Sequence, residues 1–162
     1  MGDSALTLEQ ALEVFTRARA DTLAGVPVLV ISSSGGLSLP PALVAAKVSQ
    51  LPASDALTQL AQATRFELGV VAGALGGLSP TQARGLLAAL RDRLCTTTWV
   101  VERADSAWGR SELLSLAFTQ RGESPCGSWR LYDHDIASYN PERDWNNPDH
   151  WANPENFDRY RW

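Results

Sequence analysis

A three-layer α/β fold built on a mostly parallel sheet is predicted by three features of the chain. Residues 66–72, FELGVVA, form a continuous apolar run with valines near its end, the length of a strand buried on both faces. Ser79-Pro80-Thr81-Gln82 then opens a helix: Ser79 can cap, Pro80 sits where its missing N–H costs nothing, and Gln82 is the reciprocal partner of a capping box. Ala83, Leu86, Leu87, Leu90 and Leu94 follow at helical spacing and lay one apolar stripe against that strand. Strand and helix alternate along the chain in the same way.

Taken in order, Thr7-Leu8-Glu9-Gln10 is a second capping-box pattern, and Leu8, Ala11, Leu12 and Phe15 give its helix an apolar stripe that Gly25 should stop. Residues 26–31 read as a central strand with Pro27 tolerated near its start. Ser32, Ser33, Ser34, Gly35 and Gly36 follow at once, a turn at the carboxyl end of a first parallel strand, where α/β proteins bind ligands through converging amides. A short helix at 43–46, a short strand at 47–51 and a helix at 54–64 with Leu57, Leu60 and Ala61 facing inward lead back to residue 66. Residues 96–101 form a β-branched strand, and Asp105 or Ser106 is expected to cap a helix carrying Leu113, Leu114 and Leu116. Strands at 117–121 and 128–136 are joined by the Gly- and Pro-containing loop 122–127 as a hairpin. The most buried positions should include Val28, Val30, Val70, Val71, Trp99 and Val101.

With 162 residues and 44% hydrophobic content, the chain can bury roughly 70% of its unfolded surface without a disulfide or metal. A net charge of -4, eighteen acids against fourteen bases, argues against a nucleic-acid partner. No apolar run approaches a membrane span and no leader-like pattern opens the sequence, so the expected location is the cytoplasm. Cys95 and Cys126 are not in a CxxC arrangement and are expected to have no chemical role.

FELGVVAGALGGLSPTQARGLLAALRDRL, with the later AFTQRGE and WRLYDHDIASY pair, resembles the fourth strand, following helix and final hairpin of the class I S-adenosylmethionine-dependent methyltransferases. The resemblance implies a Rossmann-like, methyltransferase-type sheet over roughly residues 27–139, here contracted because so little chain separates 31 from 66. It also implies a cofactor site at Ser32, Ser33, Ser34, Gly35, Gly36, Gln50, Ala72 and Gly73. The family's glycine-rich first loop with its preceding acid is replaced here by SSSGG, its ribose-binding carboxylate by Gln50, and its polar residue after the fourth strand by Ala72-Gly73. No bound cofactor is therefore expected, and S-adenosylmethionine would be the cofactor if the enzyme reading held. Over its whole length the chain is similar to a family of small bacterial proteins, a domain of unknown function, that end in a tail like WANPENFDRYRW.

That tail forms a second unit, 139–162, expected to pack on the methyltransferase-like domain, 1–138. Its aromatics recur every six positions at Tyr139, Trp145, Trp151 and Phe157. Asn140, Asn147 and Asn153 each precede a proline and then an acid, the composition of a short helical turn with its own cap. The six aromatics in these last 24 residues argue against disorder. They either cover an apolar surface of the domain or, as Trp145, Trp151, Phe157, Tyr160, Arg161 and Trp162, present a surface to a protein partner.

Asp133-His134-Asp135 reads as a polar strand end rather than a metal site, because the two aspartates share one face and His134 the other. The Arg65/Glu67 and Arg91/Asp92/Arg93 charges read as solvated element ends. The functional expectation is a non-catalytic, methyltransferase-like interaction or regulatory protein. The alternatives are a methyltransferase with an atypical site and a small-ligand binder using the 32–36 turn. Burying one large aromatic contributes roughly 1.5–3 kcal/mol, so deletion of residues 139–162 should lower the melting temperature markedly or leave the protein insoluble. A truncated protein that melts like the full chain would place the aromatics outward.

Overall fold

The computed structural model describes residues 5–139. Its elements run α1 (Leu8–Arg17), α2 (Ala20–Leu23), β1 (Pro27–Ser32), α3 (Pro41–Val44), β2 (Lys47–Pro52), α4 (Ala56–Gln59), β3 (Phe66–Ala72), α5 (Pro80–Ala89), β4 (Cys95–Arg103), α6 (Arg110–Ser115), β5 (Thr119–Glu123), β6 (Trp129–Asp135) and α7 (Ile136–Tyr139). A 3-10 turn, Leu75–Gly77, follows β3, and a π-helical turn, Leu90–Leu94, joins α5 to β4.

Six strands form one sheet in the order β2-β1-β3-β4-β6-β5. The first four are parallel, β6 is antiparallel to β4, and β5 is antiparallel to β6. The methyltransferase-type, three-layer arrangement is thus present, and the strand likened to the family's fourth is the third here. The chain lays β2 on one side of β1, then crosses to lay β3 on the other, which makes the carboxyl ends of β1 and β3 a topological switch point.

Alternation along the strands divides the core. Leu29, Ile31, Val71, Val100 and Tyr132 face the layer of α4, α5 and α6, whereas Val28, Val30, Val70, Trp99 and Val101 face α1, α2 and α3. All six positions expected to be most buried are buried. Both capping boxes form: the Thr7 and Ser79 hydroxyls accept from the amides of Gln10 and Gln82, whose side chains accept in return from the cap amides.

Local expectations fail where few contacts decide the helix. The helix expected at 54–64 contracts to the single turn α4, burying Ala56 and Leu60 while Leu57 and Ala61 are exposed. Leu60 packs against the core at the end of that turn, and residues 63–65 must already be extended to enter β3. The helix after Pro40-Pro41 begins at Pro41 rather than at 43, with the proline at its first position. Gly25 ends α2, not α1, which stops at Arg17. Neither Asp105 nor Ser106 caps α6: Asp105 is paired with Arg103, the Ser106 hydroxyl accepts from the Trp108 amide, and Gly109 holds the cap position. Leu114 is consequently turned outward. Strand β5 is shifted toward the hairpin, to Thr119–Glu123, with a bulge at Arg121. Arg91 is half-buried rather than solvated; besides contacting Asp92, its guanidinium donates to the Leu116 carbonyl at 2.8 Å and holds the end of α6.

The glycine in the middle of β3 has a packing reason. A Cβ on Gly69 would stand 2.5 Å from the Cys95 Sγ, so the strand passes the thiol only because it carries no side chain there. Burial pushes that thiol up to about 12, which leaves it a small apolar filler. Gly69→Ala should cost about 1–3 kcal/mol in denaturant unfolding, and Cys95→Ala in the same chain should recover part of it. Costs that simply add in the double variant would contradict this contact.

Candidate functional site

The switch point is framed by strand ends in register. Pro52, Ser32 and Ala72 are mutual partners across β2, β1 and β3, and Ala72 pairs with Val101 of β4. In an open α/β sheet a ligand would enter this crevice and take the amides of the loop after β1. Here those amides have acceptors within the chain. The Gly35 N–H donates to the Ser32 hydroxyl at 3.0 Å, Gly36 to the Ser34 hydroxyl at 3.4 Å, and Leu37 to the Gln50 Oε1 at 2.9 Å. The Ser32 carbonyl accepts from Ala53 at 2.9 Å, joining the ends of β1 and β2.

Gly35 explains how the loop comes so close. Its φ of +74° is a left-handed conformation that side chains rarely adopt, and a Cβ there would stand 2.8 Å from the Pro52 nitrogen and Cδ. The loop backbone therefore rests on the end of β2. Strand β2 ends at Pro52, and Gln50, set against the family's ribose-binding carboxylate, lies two residues inside it, paired with Val30 and with its amide oxygen engaged by the loop. The loop leads into an extended segment and the four-residue α3, so no long helix directs its amino terminus into the crevice.

The β3 side is occupied as well. Ser33 reaches the Gly73 carbonyl at 3.5 Å, a long contact, and the Gly73 amide donates to the Val101 carbonyl at 2.8 Å. Over Gly73 lie Leu8 from the start of α1 and the Trp129 ring, 3.4 and 3.6 Å from where a Cβ would be. The Trp129 Nε1 donates to the Leu6 carbonyl at 2.7 Å, tying the chain's N-terminal segment to the first residue of β6. Of the eight residues assigned to the site, Ser32, Gly35, Gly36, Gln50 and Gly73 make hydrogen bonds that fix the loops, Ser33 and Ser34 are exposed on the rim, and Ala72 is buried in the sheet.

Glu102, just past Val101 on β4, is the acid sequence reading missed. It is 4% exposed, and its Oε1 accepts from the Leu75 amide at 3.2 Å, holding the 3-10 turn after β3. Burial raises its carboxyl above the ordinary glutamate range, against the Leu75 amide and Ser106 hydroxyl, which lower it. A strand taken to stop at Val101 leaves Glu102 in a loop; the signal was a nine-residue strand, with residue 102 still inside the apolar layer.

Asp133, His134 and Asp135 do not converge. Asp133 pairs with Arg121 at 2.7 Å, Asp135 accepts from the Ala137 amide, and the buried His134 donates from Nδ1 to the Ala117 carbonyl at 3.0 Å. Among the described residues no group of three or more His, Cys, Asp or Glu could hold a metal ion. Cys126 is exposed at the hairpin tip, and hydrogen bonds from Ser128, with smaller contributions from backbone amides and Ser124, bring it down to about 6. Trp145, Trp151, Phe157, Tyr160, Arg161 and Trp162 lie outside the described residues. No described helix is long and apolar enough to cross a membrane.

Because its value is raised, whatever stability Glu102 contributes is fully present below the ordinary glutamate range and is lost as pH rises through the elevated value. Glu102→Gln keeps an oxygen for Leu75 and cannot ionise. It should melt several degrees above the parent at pH 8, with the gap closing toward pH 4; equal melting curves across that range would mean a solvated carboxylate.

Comparison with curated protein sequences gives no match. Among solved structures, the chain is similar to the Burkholderia thailandensis 1,6-didemethyltoxoflavin-N1-methyltransferase with bound 1,6-didemethyltoxoflavin and S-adenosylhomocysteine. That likeness has 14% identity and a TM-score of 0.44, covering 75% of this chain and 77% of that one. It is also similar to the magnesium protoporphyrin IX methyltransferase of Synechocystis PCC 6803 with bound SAM, at 15% identity and a TM-score of 0.43 over 82% and 85% of the two chains. A family model matches residues 6–162, nearly the whole sequence, and the chain belongs to that family, the family of unknown function DUF6231.

Proposed function

We propose that this chain is a non-catalytic, methyltransferase-like protein that acts by binding another protein, its cofactor crevice being held shut by its own backbone and side chains. The observation that carries this reading is the use of Gly35, Gly36 and Leu37 amides by Ser32, Ser34 and Gln50, with Gly35 seated on Pro52. S-adenosylmethionine does not fit these residues. Its ribose diol would need a charged acceptor at the β2 end, where hydrogen bonds to a carboxylate contribute about 1.5–3 kcal/mol, and Pro52 supplies none. Opening the loop would break three amide hydrogen bonds, each worth about 1 kcal/mol net and more if left unmade.

Glu102 does not restore a site. Its carboxyl is buried against the Leu75 amide, so presenting it to a ligand would require dismantling the 3-10 turn. The same contacts speak against a small anion on the 32–36 turn. A protein partner remains, and the aromatic, arginine-containing end of the chain, Tyr160-Arg161-Trp162, has the composition of an interface anchor.

Calorimetric titration of the full chain with S-adenosylmethionine and S-adenosylhomocysteine tests the reading. No saturable heat should appear at ligand concentrations of about 100 μM, an affinity weaker than roughly -5.5 kcal/mol. Micromolar binding of either molecule would overturn it and favour a methyltransferase with an atypical site.

A further inference from the structure

Outside the crevice, α6 and β5 enclose a hollow of about 370 Å³, with Arg110 and Leu114 on its helical wall, Phe118 between the two elements and residues 119–123 on its strand wall. That volume falls in the lower part of the range of small-molecule sites, roughly 300–1,000 Å³. Leu114 is 56% exposed: with Gly109 in the cap position, α6 buries Leu113 and leaves Leu114 lining the hollow.

The charges of the hollow are matched except at one residue. The Glu123 Oε1 accepts from the Arg130 Nε at 3.0 Å and from the Gln120 Nε2 at 3.3 Å, and the Arg121 Nε donates to Asp133 at 2.7 Å. Arg110, exposed at the first position of α6, has no ion pair or side-chain hydrogen bond among the described residues. It therefore supplies the unmatched charge. Four residues apart on one helix, Arg110 and Leu114 share a face and stand about 6 Å apart along its axis. A cation and an apolar surface at a fixed separation complement a molecule with an anion at one end and an apolar body at the other. A guanidinium takes a carboxylate through paired N–H donors. With a single unmatched guanidinium, the hollow balances a monocarboxylate, whereas a phosphate dianion would keep an excess charge.

We propose that this hollow binds a small monocarboxylic acid with an apolar body, the carboxylate held by Arg110 and the apolar part lying over Leu114. The site shares no residue with the strand ends of the crevice, and it is independent of whether the crevice binds a cofactor.

The test is NMR titration of the full chain with 4-phenylbutyrate, and with 4-phenylbutan-1-ol as the uncharged probe of similar shape. The acid should give saturable shifts at the Leu114 methyl groups and the amides of residues 119–123 below about 10 mM, and should bind about ten-fold more tightly than the alcohol. Arg110→Gln should bring the acid down to the affinity of the alcohol, while Arg17→Gln, at an exposed arginine on α1, should leave both unchanged. Circular dichroism melting verifies that each variant is folded, and the acid-to-alcohol comparison in the parent protein stands without them. No saturable shift with the acid, shifts centred elsewhere on the molecule, equal affinity for acid and alcohol, or an Arg110→Gln variant that binds the acid as the parent does would each overturn the proposal.

Discussion

The approach of Gly35 to Pro52 is the constraint on which the carboxyl end of the sheet depends. A left-handed residue without a side chain lets the loop after β1 lie against the end of β2, and only in that position do Leu37 and Gln50 meet. The consequence is topological as well as local. The loop bent toward β2 is followed by no long helix running back across the sheet face; the chain passes through residues 37–40 into the four-residue α3. Such sheets bind nucleotides with a helix amino terminus aimed at the strand ends, whereas here a four-residue helix follows the loop and the Gly35, Gly36 and Leu37 amides have acceptors within the chain.

The opposite wall is built from a different principle. Around Gly73 the packing is apolar, with Leu8 and Trp129 above it, while the turn after it is fixed by a buried carboxyl. A neutral acceptor would bind the Leu75 amide with a smaller desolvation cost, so Glu102 is retained at some expense in stability at neutral pH. Together the two walls tie the carboxyl ends of β1 and β3 to their own loops, through the pairing of Ser32 with Ala72 and the contact of Ser33 with the Gly73 carbonyl.

Much of the fold was legible because its signals are local. The apolar run at β3, the β-branched runs of β1 and β4, and the two Ser/Thr-x-x-Gln boxes each specify an element within a few residues, and all these elements are present, β1 shifted by one residue and β4 longer at both ends. The misread positions depend on partners distant in sequence. Arg91 looked like a surface charge until α6 brought the Leu116 carbonyl to it, and Ser106 looked like a helix cap although its hydroxyl serves Trp108. The site was legible as a set of residues but not as an arrangement. SSSGG and Gln50 were named for what they lack as cofactor ligands, whereas the serines accept from the loop's own glycine amides and Gln50 accepts from the Leu37 amide. Glu102 was missed since a strand's end is set by pairing with β6, which the run of residues before it does not reveal.

Amide hydrogen exchange resolved by NMR at Gly35 and Leu37 tests the closed crevice most directly. If the Ser32 and Gln50 side chains hold these amides, both exchange slowly, Gln50→Ala releases Leu37 by ten-fold or more, and S-adenosylhomocysteine leaves their resonances in place. Fast exchange at both in the parent protein, or protection and large shifts appearing only when S-adenosylhomocysteine is added, would contradict the account.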